Sequence, residues 1–308
     1  MKIFINKLNE SWIVDRFRHE WYEHNKDISM ANIKKSEIVW IIAPWTWRKI
    51  SKKQLKRKIV VCTIHHLNHE FLNANGYKEF LKRDYYVDYY HVITEKSKEE
   101  LQKLTNKKIF VAEFWLNQNH FFEISNKQDL RKKYGFSEKD YLIGSFQRDT
   151  EGSDLKSPKL VKGPDIFIDI LKQNFIDNKN LKVILTGKRR NYMISELNKL
   201  KIKYEYFEMT NFDKLNELYN ILDLYIVSSR KEGGPQQILE AAITKTPILS
   251  TNVGLADKFL APESIYSPNT FKKSKTNTDY PYKQIERLKI PLGFDPFLSI
   301  FQKVLNEN

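Results

Sequence analysis

Cysteine is nearly absent. Cys62 stands alone in 308 residues, which excludes an intrachain disulfide, and its strand-like setting KIVVCTI marks a buried thiol in a reducing cytosol. Long hydrophobic runs are missing too: MKIFINKLNE has no apolar core of signal-peptide length, and nothing later approaches the ~20 apolar residues that span a bilayer. The expectation is a soluble, cytoplasmic protein, attached at most to the inner face of a membrane. Acidic residues are outnumbered, 38 against 52 Lys and Arg, for a formal net charge of +14. That balance favours a polyanionic partner: a phosphorylated ligand, an anionic membrane or nucleic acid. There is no internal repeat, no extended low-complexity tract and no D-x-D sequence.

What is present is an alternation of short β-branched or aromatic runs with amphipathic helical stretches, the pattern of βαβ units and parallel sheets. Strands are expected at 2–6, 37–43, 58–64, 90–94 and 108–114, with helices at 11–24, 70–83 and 96–104. After the polar stretch 117–139 a second series begins, with strands at 142–146, 182–186, 204–208, 224–228 and 247–250. Its helices are expected at 164–174, 193–200, 212–221 and 235–244. The length suits two domains of roughly 120–180 residues. Residues 267–280 read as a mobile surface loop. In GFDPFLSIFQKVL, Asp295 is placed to cap a last helix, with Phe297, Ile300, Phe301, Val304 and Leu305 on one apolar face that needs a groove.

The run KEGGPQQILEA follows a strand and opens a helix, so it lies at the carboxyl edge of a parallel sheet, where ligands bind in doubly wound folds. Gly233 and Gly234 permit unusual dihedrals and close ligand approach, and Pro235 suits the first helical position. The amides of Gln236 and Gln237 then sit at the positive end of the helix dipole, a site for phosphate oxygens. Glu232 and Glu240, one outside the helix and one inside it, are spaced to address two parts of an elongated ligand with hydroxyls.

Glu232 and Glu240 form an E-x7-E pattern. The run YIVSSRKEGGPQQILEAAITKTPILSTNVG resembles the donor-binding segment of retaining glycosyltransferases of family four, which have the GT-B fold. The likeness continues upstream through IGSFQRD, PKLVKGPDIFIDIL and KVILTGKRRNY, covering roughly 142–255 well and the N-terminal half loosely. It implies two Rossmann-like α/β domains facing a cleft: an N-terminal acceptor domain, 1–120, completed by a C-terminal helix, 293–308, that crosses back to it, and a nucleotide-sugar donor domain, 121–290. Lys162 would contact the donor diphosphate, with Arg148 as its companion, although the family has that arginine nearer the strand end, where this chain has Ser145. Glu240 resembles the residue on the ribose hydroxyls and Glu232 the one near the transferred sugar. Thr210, in Met209–Asn211, falls where the base is read, and Lys188 and Arg189 follow a strand from which they would face the cleft.

In VVCTIHHLNHE, His65 matches a histidine beside the transferred sugar, suited to donate a hydrogen bond to a hydroxyl; His66 is the alternate. His65 and His69 have the spacing of a metal pair but no third ligand is evident. The glycine-rich loop that many relatives carry after the first strand is replaced by INKLNESWIV, where Asn9 and Ser11 are candidates to line the cleft.

The resemblance therefore implies transfer of a sugar from a nucleotide-diphosphate sugar to a glycan or lipid-linked acceptor with retained configuration, without a metal or other cofactor. A GT-B nucleotide-sugar epimerase or phosphorylase is the alternative within the enzymes. The basic, tryptophan-bearing stretch 44–58, PWTWRKISKKQLKRK, opens a different class: an anionic-membrane or nucleic-acid binding module on a degenerate scaffold.

Overall fold

The computed structural model describes residues 1–7, 13–67 and 74–308. Asn9, Ser11 and His69 lie outside the described residues. Contacts divide the chain into two units, Met1–Trp115 with Leu288–Asn308, and Leu116–Arg287.

In the first unit, strands β1 (Ile3–Ile5), β2 (Ile38–Ile41), β3 (Ile59–Ile64), β4 (Tyr89–Val92) and β5 (Ile109–Val111) form a five-stranded sheet in that order. Every pairing is parallel. The strands are apolar on both faces, as a sheet covered on both sides demands. Helices α1 (Ile13–His24), α2 (Lys52–Leu55), α3 (Ala74–Asp84) and α4 (Glu95–Gln102) cross between strands. Thr94 caps α4 by accepting from the Ser97 amide at 3.1 Å.

The last helix, Asp295–Asn306, finds its groove within this unit. Phe297 packs on Trp40, Phe114 and Trp115 at centroid distances of 5.2, 5.3 and 5.3 Å. Phe301 meets Trp21 and Trp40 edge-on at 5.6 and 5.1 Å. Aromatic rings bury large areas and favour such tilted geometry, so this cluster ties the chain's end to its beginning.

The second unit is built on β6 (Tyr141–Ser145), β9 (Leu181–Thr186), β10 (Lys203–Phe207), β11 (Leu224–Val227), β12 (Ile248–Thr251) and β13 (Ile265–Tyr266), with β7 (Thr150–Glu151) and β8 (Ser157–Pro158) forming a separate antiparallel hairpin. The sheet order is β10-β9-β6-β11-β12-β13. Strands climb away from β6 on one side and from β11 on the other, so the order reverses between those two. Their carboxyl ends diverge there and leave the crevice in which doubly wound sheets bind ligands. Helix α5 (Lys127–Lys133) precedes the first strand, and α6 (Pro164–Phe175), α7 (Asn191–Lys199), α8 (Phe212–Ile221) and α9 (Gln236–Ile243) connect the strands.

Two local expectations change. The polar stretch 117–139 contains α5, whose Arg131 is buried and bonds the Ile221 carbonyl at 2.8 Å. Residues 267–280 are held down: Phe271 is buried against Tyr266 at 5.1 Å, and the Lys275 amide bonds Glu263 O at 2.8 Å. One buried aromatic outweighs the polar composition around it.

Candidate functional site

The site grows from the reversal point. The turn after β11 is fastened to the segment before α6, because Val161 O accepts from the amides of Arg230 and Lys231 at 2.9 and 3.3 Å. The Arg230 guanidinium pairs with Asp165 and also bonds Leu160 O at 2.8 Å. Gly163 makes this approach possible. Its φ is 59°, in the left-handed region, and a Cβ there would stand 1.8 Å from Ser228 O.

On this base Lys162 Nζ meets Glu232 Oε1 at 2.5 Å. Ser229 Oγ lies 2.9 Å from the same oxygen and 3.1 Å from Gln147 Oε1, and its single proton serves one of them at a time. Gln147 Nε2 in turn donates to Lys162 O at 2.9 Å. Residues from the ends of β6 and β11 and from the turn before α6 thus close a network around one carboxylate.

Glu240 sits deeper, buried on α9, and accepts from the Tyr219 hydroxyl of α8 at 2.9 Å. Burial and the Glu240 charge push that hydroxyl well above its ordinary range, so Tyr219 stays a donor. Further cations gather near Lys162. Lys159 loses basicity through partial burial and then through the charges of Arg148 and Lys162, and Arg148 through burial and then the charge of Arg189. Like charges held together at a crevice mouth favour an anion that neutralises them.

Residues 126–272 match the family model described as Glycosyl transferases group 1. The chain has the GT-B fold, and its residues 126–272 form a glycosyltransferase group 1 domain. Among solved structures it is similar to HepE from Anabaena in complex with UDP and glucose, with a TM-score of 0.74 and 13% identity over 99% of this chain and 100% of that one. Sucrose-phosphate synthase from Thermosynechococcus elongatus gives 0.69 and 11%, over 96% and 78% of the two chains. A glycosyltransferase from Rickettsia africae gives 0.61 and 14%, over 98% and 84%. No curated protein matches the chain in sequence.

Several sequence expectations for this GT-B chain are corrected by the geometry. Left-handed backbone is found at Gly163 and Gly254 rather than at Gly233 or Gly234. Gly254 takes that role because a Cβ there would stand 2.6 Å from Pro235 Cδ and 3.2 Å from Gly233 O. Helix α9 starts at Gln236, with Pro235 extended at the cap position (φ −67°, ψ 116°) and its carbonyl accepting from Ile238 N. Gln236 is buried and Gln237 half-buried in that first turn.

In LTGKRR, Lys188 and Arg189 are exposed, Arg189 with φ 59°. The unanticipated member is Arg190, fully buried, which pairs with Asp149 and donates to Ser145 O and Thr186 O at 2.6 and 2.9 Å. It thereby locks the carboxyl ends of β6 and β9 and the loop that carries Gln147 and Arg148. Arg148 itself is exposed and its Nε donates to Thr150 O at 2.9 Å. Thr210 is half-exposed after β10, beside Asn211, which caps α8 through the Lys214 amide at 2.9 Å.

His65 belongs to the first unit, directly after β3. Its Nε2 lies 2.8 Å from Ile42 O and its ring stacks on Phe114 at 5.7 Å. A carbonyl only accepts, so Nε2 carries the proton, and burial lowers the ring's pKa to about 4. The donor is therefore committed to the backbone, and neutral His65 offers Nδ1 as an acceptor, the reverse of the donor role expected from sequence. Below it, His91 is buried, with Nε2 at 2.9 Å from Ala112 O and Nδ1 at 3.0 Å from Thr63 Oγ1. Trp40 Nε1 donates to that hydroxyl at 2.8 Å, completing a satisfied buried chain. Among the described residues no group of three or more His, Cys, Asp and Glu side chains converges as a metal site.

Proposed function

We propose that this glycosyltransferase moves a sugar from a nucleotide-diphosphate sugar to a hydroxyl of a glycan or lipid-linked glycan, with retained anomeric configuration and without a metal ion. The observation that carries the reading is the meeting of Lys162 and Glu232 at the sheet's reversal point, beside the first turn of α9. A diphosphate arriving there draws Lys162 from Glu232 and takes up the positive charge of Lys162, Lys159 and Arg148. Glu232, released, accepts hydrogen bonds from the hydroxyls of the sugar to be transferred, and Glu240, held by Tyr219, from those of the ribose. The loop at Thr210 reads the base.

As the glycosidic bond breaks, negative charge grows on the departing diphosphate. Preorganised cations and helix amides stabilise that charge more in the transition state than in the ground state, and this is how they accelerate transfer. Those cations take the role a metal would otherwise fill, in keeping with a sequence that has no D-x-D. The leaving diphosphate accepts the acceptor's proton on the same face, and His65 Nδ1 accepts from a hydroxyl of the transferred sugar. Uridine is the first base to test, since HepE is seen with UDP-glucose. The enzyme works in the cytoplasm, peripheral to the inner face of a membrane through 44–58.

The test is the configuration of the product, read by the anomeric coupling constant in proton NMR, with EDTA present throughout. Transfer in EDTA with the donor's configuration preserved is the expected result. An inverted product would overturn retention, and activity appearing only on addition of magnesium would overturn metal independence.

A further inference from the structure

An open cavity of about 780 Å³ lies in the first unit, and none of the residues placed above in donor binding lines it. It is lined by the apolar and aromatic side chains of Trp47, Leu81, Tyr85 and Tyr86 and by the cations Arg48, Lys52 and Lys82. Trp47 is anchored in the core and packs on Tyr86 at 5.7 Å, so the floor is rigid. Glu79 pairs with both Arg48 and Lys82, which sets one carboxylate against three cations.

The surroundings are unusual for a surface that meets only water. Tyr77 and Leu81 stand four residues apart on α3 and Tyr85 four further at its end, a single stripe, with exposures of 42%, 45% and 69%. Trp45, 46% exposed, lies in the turn that carries Trp47, with its ring 6.3 Å from that of His65. Lys56 lies 5.3 Å over the Tyr85 ring. Tryptophan and tyrosine suit the boundary between water and acyl chains, and lysines beside them meet anionic headgroups. Leu81 decides against nucleic acid: an aliphatic side chain gains nothing from stacking on bases but gains from leaving water for acyl chains.

We propose that this face docks on an anionic phospholipid bilayer, with one lipid phosphate seated in the cavity against Lys52, Arg48 and Lys82, and Leu81 and Tyr85 at headgroup depth. The proposal deepens the membrane placement through 44–58 and rests on it, adding the α3 stripe and the lipid chemistry. It is independent of the donor reaction.

Co-sedimentation of the full chain with vesicles, in the absence of nucleotide, tests it. The chain should pellet with phosphatidylcholine vesicles carrying a quarter phosphatidylglycerol and stay in solution with phosphatidylcholine alone. At about one kcal/mol per lysine near the surface, Lys52→Ala with Lys56→Ala should weaken binding by about thirtyfold. Leu81→Ser with Tyr85→Ser should weaken it by at least about tenfold while far-UV circular dichroism stays that of wild type. Absence of pelleting on anionic vesicles would overturn the proposal. Pelleting that depends on the lysines and ignores Leu81 and Tyr85 would also overturn it, leaving the placement through 44–58 standing.

Discussion

Lys162 and Glu232 lie 70 residues apart in the chain and meet at 2.5 Å. The turn after β11 and the segment before α6 bring them together, and the close approach of the two is possible because residue 163 is glycine. The pair carries no net charge, so a lysine and a carboxylate are held in place at the reversal point of the sheet without unbalanced charge.

Replacing Lys162 with Ala should therefore cost turnover more than substrate affinity, because the charge it faces grows only as the bond breaks. A loss of roughly 10²–10³ in kcat is expected, the scale seen for one preorganised donor. Glu232→Gln should fall in the same range with the melting temperature nearly unchanged. Steady-state kinetics on purified variants checks both, and wild-type turnover in either would remove that residue from the site.

Gly163→Ala should be severe out of proportion to its size. The added methyl meets a backbone carbonyl that cannot move without dragging β11, and the left-handed φ is itself unfavourable for alanine. A stability loss of about 2 kcal/mol or more is expected, with activity falling further because Lys162 shifts. Denaturant unfolding monitored by tryptophan fluorescence gives the number.

The KEGGP turn was legible because a strand, two glycines and a helix start are local signals, and the E-x7-E spacing adds chemistry to them. Arg190 was not legible. It is the third of three adjacent basic residues, and only the folded loop brings Asp149 to it. Gly163 left a faint local trace, a glycine just before Pro164 and α6, but its reason is a carbonyl 65 residues away. His65 was picked out by likeness alone, and its tautomer is set by the carbonyl of Ile42, just past the end of β2, which no reading of VVCTIHHLNHE reveals.

Tyr219→Phe removes the hydroxyl that orients Glu240 inside the protein. Losing a hydrogen bond to a buried carboxylate costs about 1.5–3 kcal/mol, shared between stability and nucleotide binding. KM for the donor should rise several-fold while kcat changes less, and Glu240→Ala should show the same split more strongly. An unchanged KM in Glu240→Ala would contradict its assignment to the ribose.

The buried His91 gives a pH signature. Burial lowers its pKa from 6.5 to about 4, so between these values the unfolded chain binds a proton that the folded chain refuses. Stability from this group is complete above pH 6.5, declines as pH falls, and is lost by about pH 4. The contribution is about 3 kcal/mol at most. His91→Gln keeps a donor and an acceptor but cannot titrate, so its stability should fall less steeply than wild type from pH 6.5 to 4. Parallel curves would show that His91 is not held neutral.

The most direct test of the account is thermal stability of wild type and Glu240→Ala against UDP, GDP, ADP and CMP and their sugar conjugates, all in EDTA. One nucleoside diphosphate series should raise the melting temperature of wild type, and the variant should lose most of that rise. No shift with any nucleotide, or an equal shift in the variant, would contradict a nucleotide-sugar site at the reversal point of the sheet.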